Sequence, residues 1–165
     1  MSGFLHAVGA LVFNRTVPLL PRERNQGRAQ TGEGPKCTVL AIDDDPSFLC
    51  ILRPVLREEG FDVLTSTSGA KGLDMLRYGA RDIRVVLLDY NMPQLNGAET
   101  LEHLRRLRPQ VKVLAVTGVD AQLLPPSFRE GVDKFLQKPF RSKELVDTIN
   151  LLLGNGATVP TPNPA

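Results

Sequence analysis

Chemistry-bearing side chains stand directly after four separate apolar runs. Asp43, Asp44 and Asp45 follow residues 38–42, Asp89 follows residues 85–88, Thr117 follows residues 111–116, and Lys138 comes shortly after residues 134–136. Carboxylates gathered at one place repel one another unless a cation neutralises them. A donor set of oxygen alone, with no His or Cys in these runs, suits a hard ion such as Mg²⁺ or Mn²⁺. A carboxylate held beside such an ion can attack a phosphoryl donor and form an acyl phosphate. Thr117 could then hydrogen-bond one phosphoryl oxygen, while Lys138 neutralises another as a point charge. Taken singly, each residue has a plainer reading: a turn or helix cap for the aspartates, a surface side chain for the lysine. Together, at four run ends, they form one complementary set.

Short apolar strands alternating with amphipathic helices would bring the set together. Residues 38–42 read as a buried strand; Asp45 then caps a helix with Pro46 at its first position, and Gly60 closes it. Phe48, Leu49, Leu52, Val55 and Leu56 recur at helical spacing along it, and Pro54 inside it should remove a hydrogen bond or bend it. Residues 61–64 form a second strand, and Ser68 caps a helix through Leu73 and Leu76. The unbroken apolar run 85–88 suits a parallel strand covered on both faces. A helix from about Gly97 to Arg108, a strand at 111–116, a strand at 134–136 and a helix capped by Ser142 and running to Leu153 complete the order. Five such strands imply right-handed crossovers and a three-layer α/β domain. Ligands of such sheets sit beyond the carboxyl ends of the strands, where the unusual residues lie.

Of the 165 residues, 42% are hydrophobic and 23% charged, as in an ordinary globular protein. Five of the 20 Lys and Arg but two of the 18 Asp and Glu fall in residues 1–36, so that segment carries +3 and the remainder −1. A near-neutral main domain gives no reason to expect direct nucleic-acid binding. Cys37 and Cys50 belong to no Cys/His cluster and make no disulfide framework. No apolar run approaches the roughly 18 residues of a membrane span. The apolar residues 4–13 lack a preceding basic residue, which argues against a signal peptide and for a cytoplasmic protein. Proline and glycine punctuate residues 14–36 and 154–165, so 1–36 read as a disordered leader, 37–153 as the domain and 154–165 as a disordered tail.

The text Val39-Leu-Ala-Ile-Asp-Asp-Asp-Pro46, then Val86-Leu-Leu-Asp-Tyr-Asn-Met-Pro93 with Gly97, Val116-Thr-Gly118 and Lys138-Pro-Phe140, resembles a response-regulator receiver domain of two-component signalling over residues 38–153. The resemblance implies a flavodoxin-like, doubly wound five-stranded parallel sheet of order 2-1-3-4-5, with helices on both faces. It implies Asp89 as phosphoacceptor and Asp43 and Asp44 as the acidic pair, with Asp44 the direct metal ligand. The backbone carbonyl of Asn91 would complete the protein's share of the Mg²⁺ (or Mn²⁺) shell. Thr117 would be the switch hydroxyl, Phe135 the aromatic that follows it, and Lys138 the lysine of the pattern, joined to Pro139 through a cis bond. The implied partners are a sensor histidine kinase or a phosphotransfer protein, and a downstream protein target. Such a chain catalyses at most its own phosphorylation and dephosphorylation.

One departure stands out. Pro125 and Pro126 cannot both sit inside a helix, so the fourth helix should start near Pro126 and end at about Glu130. That shortening predicts a monomer, because the family's usual dimer surface includes this helix; a loop serving instead as a docking element would leave Leu123, Leu124 and Phe128 partly exposed. No output domain is read in the leader or after Leu153. Two rivals are weighed: a receiver-shaped interaction module that never meets phosphate, and a haloacid-dehalogenase-like phosphatase with Asp43 as nucleophile and Asp45 as general acid. The second has Ser47 where a Thr or Val is usual and no place for the Asp89-to-Pro93 turn.

Overall fold

The computed structural model describes residues 37–79 and 82–154; the leader and tail read from the sequence lie outside them, save Gly154. In chain order the elements are β1 (Thr38–Ile42), α1 (Pro46–Glu58), β2 (Asp62–Ser66), α2 (Gly69–Tyr78), β3 (Ile83–Leu88), α3 (Gly97–Leu107), β4 (Lys112–Thr117), a 3₁₀ turn (Ala121–Leu123), α4 (Pro126–Gly131), β5 (Lys134–Gln137) and α5 (Ser142–Leu152). The strands form one parallel sheet in the order β2-β1-β3-β4-β5. This is the flavodoxin-like order that the motifs implied.

Side chains two apart on a strand share a face, and the two faces here are both apolar. Val39, Ala41, Val85, Leu87, Leu114 and Val116 pack with Leu49, Leu52 and Leu56 of α1 and Leu145 and Ile149 of α5. Leu40, Ile42, Val86, Leu88, Val113 and Ala115 pack with residues of α2, α3 and α4, among them Leu73, Leu101, Leu104 and Phe128. The central strands are therefore covered on both sides, as their unbroken hydrophobic runs require.

Local chemistry sets the helix starts. The Asp45 carboxylate accepts the Ser47 N–H at 2.8 Å and caps α1, and the Ser68 hydroxyl accepts the Lys71 N–H at 3.2 Å and caps α2. Gly60, at φ 91°, closes α1 in a conformation that glycine adopts without a steric penalty. Helix α1 runs through Pro54, because Pro54 and Cys50, whose carbonyl loses its partner, both lie on the exposed face where water can serve it. Asn96 and Glu99 build a reciprocal capping box at the start of α3. Ser142 is not a cap: it is the first residue of α5, Arg141 holds the cap position, and the Glu144 carboxylate accepts the Arg141 N–H at 3.0 Å. Strand β2 is also shifted toward Ser66, leaving the buried Phe61 just before it.

Helix α4 begins at Pro126 and spans six residues, close to the expected bounds. Its surroundings are less exposed than expected, however. Leu124 and Phe128 are buried and only Leu123, 79% exposed, points outward. The short α4 lies against α3, and Leu124 and Phe128 belong to the same core layer as Leu101 and Leu104 of α3. Among the described residues no helix is long and apolar enough to cross a membrane.

At the sheet edge away from the strand carboxyl ends, Arg105 ties α3 to its neighbours. Its guanidinium donates to the carbonyls of Gly131 and Val111 and to the Asp133 carboxylate, at 2.9, 2.7 and 2.7 Å. Asp133 also accepts from Lys112 Nζ and from the Val113 N–H. Burial works against this carboxylate, but the Lys112, Val113 and Arg105 donors outweigh it and hold its pKa below the ordinary value.

Candidate functional site

Strand ends bring Asp43, Asp89, Thr117 and Lys138 to one edge of the sheet. The main chain holds them there: the Asp43 N–H donates to the carbonyl of Ser66, the last residue of β2, the Asp89 N–H to Ile42 O of β1, and the Lys138 N–H to Thr117 O of β4. Thr117 is the last residue of β4 rather than the first of the loop after it. The Lys138–Pro139 bond is cis, as the motif implied.

The side chains converge on the lysine. Lys138 Nζ lies 2.5 Å from Asp43 Oδ2 and 3.7 Å from Asp89 Oδ1. Asp43 and Asp89 are buried, 3% and 6% exposed, so this ammonium is their counter-charge inside a poorly solvated cleft. The second oxygen of each carboxylate takes a main-chain donor: Asp45 N–H on Asp43 Oδ1 at 3.0 Å, Asn91 N–H on Asp89 Oδ2 at 2.9 Å. Burial pushes the Asp89 carboxyl above its ordinary pKa; the Lys138 ammonium pulls it back, the Asp43 charge raises it further, and the Asn91 and Tyr90 N–H groups lower it. Thr117 is buried, and its hydroxyl oxygen accepts the Val119 N–H at 3.2 Å, which leaves its own proton free to donate.

Two buried carboxylates with one ammonium leave a net negative charge, and the donors on offer are oxygen alone. That chemistry fits a hard divalent cation. Asp44 is exposed beside the cleft, and the Asn91 carbonyl belongs to the loop just after Asp89. Among the described residues no three acidic, His or Cys side chains are gathered tightly enough to hold a metal alone, so a main-chain carbonyl and water would have to complete such a shell. Asp45, the general acid of the phosphatase alternative, is turned away to cap α1.

Glycine shapes the loop under Asp89. A Cβ on Gly97 would lie 2.5 Å from the Asp89 carbonyl oxygen and 2.7 Å from Tyr90 Cα, so α3 can begin this close only with glycine there. Around Gly118, by contrast, an added Cβ would meet nothing within 4 Å, leaving an open approach beside Thr117.

Phe135 is half-buried, and its ring stands edge-on to Phe128, which in turn meets Tyr90, the residue after Asp89. That aromatic chain escapes sequence reasoning because its members are far apart along the chain. So does Phe48, read from periodicity as a core residue of α1, whose ring centroid lies 4.1 Å from Lys138 Nζ.

Comparison with known proteins gives a consistent result. Residues 39–150 match the family described as the response regulator receiver domain. The transcriptional regulatory protein CpxR of Escherichia coli K12 is 36% identical over 116 residues, which cover 70% of this chain and 48% of that one. The chain spans about half the length of the curated relatives of this kind. A receiver domain from Clostridium thermocellum superposes with a TM-score of 0.65 at 30% identity, covering 72% of this chain and 94% of that one. The response regulator protein TrrA of Thermotoga maritima, solved in complex with Mg²⁺-BeF, gives a TM-score of 0.64 at 26% identity, covering 70% and 98%.

Proposed function

The chain belongs to the response regulator receiver family of two-component signalling, and from that premise we propose that it accepts a phosphoryl group on Asp89, with Mg²⁺ bound at the same strand ends. The observation that carries this reading is Lys138 Nζ standing between the buried carboxylates of Asp43 and Asp89. Asp89 Oδ2 already accepts the Asn91 N–H, so Oδ1, which faces Lys138, is the free nucleophile. Oδ1 forms its bond to phosphorus as the bond from phosphorus to the donor's nitrogen or oxygen breaks, and the donor leaves with that electron pair. The Thr117 proton is donated to one phosphoryl oxygen and the Lys138 ammonium neutralises another. Asp43, Asp44, Asp89 and the Asn91 carbonyl would hold the cation, which supplies charge neutralisation between acceptor and donor.

A sensor histidine kinase or phosphotransfer protein is the donor in this reading. The output is a changed surface: Thr117 draws toward the new phosphoryl group, and Phe135 turns from its place beside Phe128 into the space released. A downstream protein target reads that surface, and the domain itself makes no direct nucleic-acid contact. A cytoplasmic location and a monomeric state belong to the same proposal.

Incubation of the protein with Mg²⁺ and acetyl phosphate, followed by intact-mass measurement, tests it. One phosphoryl group should add to the wild type and none to Asp89→Asn, whose amide is not a nucleophile. Unchanged uptake by Asp89→Asn would remove Asp89 as the acceptor, and a label on Asp43 would favour the phosphatase alternative.

A further inference from the structure

A lysine is a point charge on a flexible four-carbon stem, so something besides charge must hold its ammonium in one place. Lys138 Nζ lies 2.5 Å from the Asp43 carboxylate, 3.7 Å from the Asp89 carboxylate and 4.1 Å from the centroid of the Phe48 ring. The negative face of an aromatic ring attracts a cation at this distance. The ring itself is fixed from both sides. It stands on the first turn of α1, whose start is set by the Asp45 cap, and the Phe140 ring meets it edge-on at 6.1 Å and 90°.

Phe48, Phe140 and Pro139 also wall a groove of about 320 Å³ between α1 and the start of α5. Lys138 reaches this groove too, so its ammonium has an alternative direction, away from the carboxylates and along the apolar wall. The Phe48 ring occupies the position that favours the inward one.

We propose that Phe48 is a positioning residue: its ring face holds the Lys138 ammonium over the Asp43–Asp89 pair, and phosphoryl transfer to Asp89 depends on that hold. The dependence on phosphoryl transfer rests on the function proposed above; the hold itself does not. A role confined to core packing would be met equally by leucine, whereas a ring-face role needs an aromatic.

Two measurements on the full chain decide it. In the first, the Lys138 methylene protons next to Nζ are observed by ¹H–¹³C NMR, with Lys138→Arg to assign them. They should be displaced upfield by the ring in wild type and in Phe48→Tyr, and return to ordinary values in Phe48→Leu. In the second, the rate of uptake from acetyl phosphate with Mg²⁺ should fall about three- to tenfold in Phe48→Leu, the range of a partly desolvated cation–π contact, and recover in Phe48→Tyr. An undisplaced Lys138 signal in wild type overturns the proposal whether or not the Phe48 variants fold. Phe48→Leu reacting as fast as wild type, or Phe48→Tyr as slowly as Phe48→Leu, overturns it as well. If wild type takes up no phosphoryl group, the dependence of transfer on Phe48 falls with the proposed function, while a displaced Lys138 signal would still establish the ring's hold.

Discussion

Gly97→Ala is the sharpest test of how the fold serves the site. The added methyl would sit 2.5 Å from the Asp89 carbonyl oxygen and 2.7 Å from Tyr90 Cα, both main-chain atoms with no rotamer to turn. The same segment is tied to α3 by the Gly97 N–H donating to Tyr90 O at 2.9 Å, so it cannot withdraw freely. Overpacking of this kind costs about 2 kcal/mol, within the usual range of 1–3. Alanine returns roughly 0.5–1 kcal/mol through its better helix propensity and the smaller freedom it has when unfolded. The net loss is about 1–1.5 kcal/mol, which lowers the melting temperature of a domain this size by roughly 4–6 °C. Thermal melts by circular dichroism measure it, with Gly118→Ala as a control because nothing lies near its Cβ position. Phosphoryl uptake should fall more in Gly97→Ala than stability alone explains, since the displaced atoms carry Asp89 itself. A Gly97→Ala protein that melts with or above wild type would refute the steric reasoning.

Three further outcomes follow from other parts of the structure. Because the Asp133 carboxyl is held below its ordinary pKa, its stabilising contribution is complete above the unfolded value and is lost as pH falls through the folded one; melts from roughly pH 5 to pH 3 should therefore show wild type losing more stability than Asp133→Asn. Equal losses would show that the Lys112 and Arg105 contacts do not act as described. Asp44→Ala should weaken Mg²⁺ binding, read as a smaller Mg²⁺-induced rise in melting temperature, and an undiminished rise would remove Asp44 from the metal shell. Light scattering on the fully phosphorylated protein should report a monomer, since a six-residue α4 offers little ridge for a symmetric helix face. A phosphorylation-dependent dimer would show that Pro125 and Pro126 leave that face usable.

Much of the fold and of the site is legible in the sequence. The run Val39-Leu40-Ala41-Ile42 distributes its side chains alternately to two apolar layers, and the aspartates after it could lie nowhere but at a strand end. Asp45 and Ser68 announced their helices, and the two prolines announced a short α4. Local signals misled where propensity and geometry disagree: Ser142 is a good cap by type, yet Arg141 occupies the cap position and Ser142 the first helical turn. Asn96 and Glu99 carried the capping-box spacing and would have placed the start of α3. The burial of Leu124 and Phe128 had no such signal, because one helical turn is too short to show a period. Phe48 looked like one more apolar residue of α1, since the cation that gives its ring a use lies ninety positions away in sequence.

The sheet order places β2 and β5 on the outside, each with one row of main-chain donors and acceptors not paired within the sheet. Such rows invite strand addition by another molecule, which leads to aggregation. Both edges discourage it. Strand β5 has only four residues, with exposed Lys134 at its start and exposed Gln137 at its end, and Pro139 beyond it has no N–H to offer. Strand β2 opens on the exposed Asp62. Short, polar margins keep a sheet with two greasy faces from growing sideways, so the outer strands can close the sheet without offering a template to a neighbouring molecule.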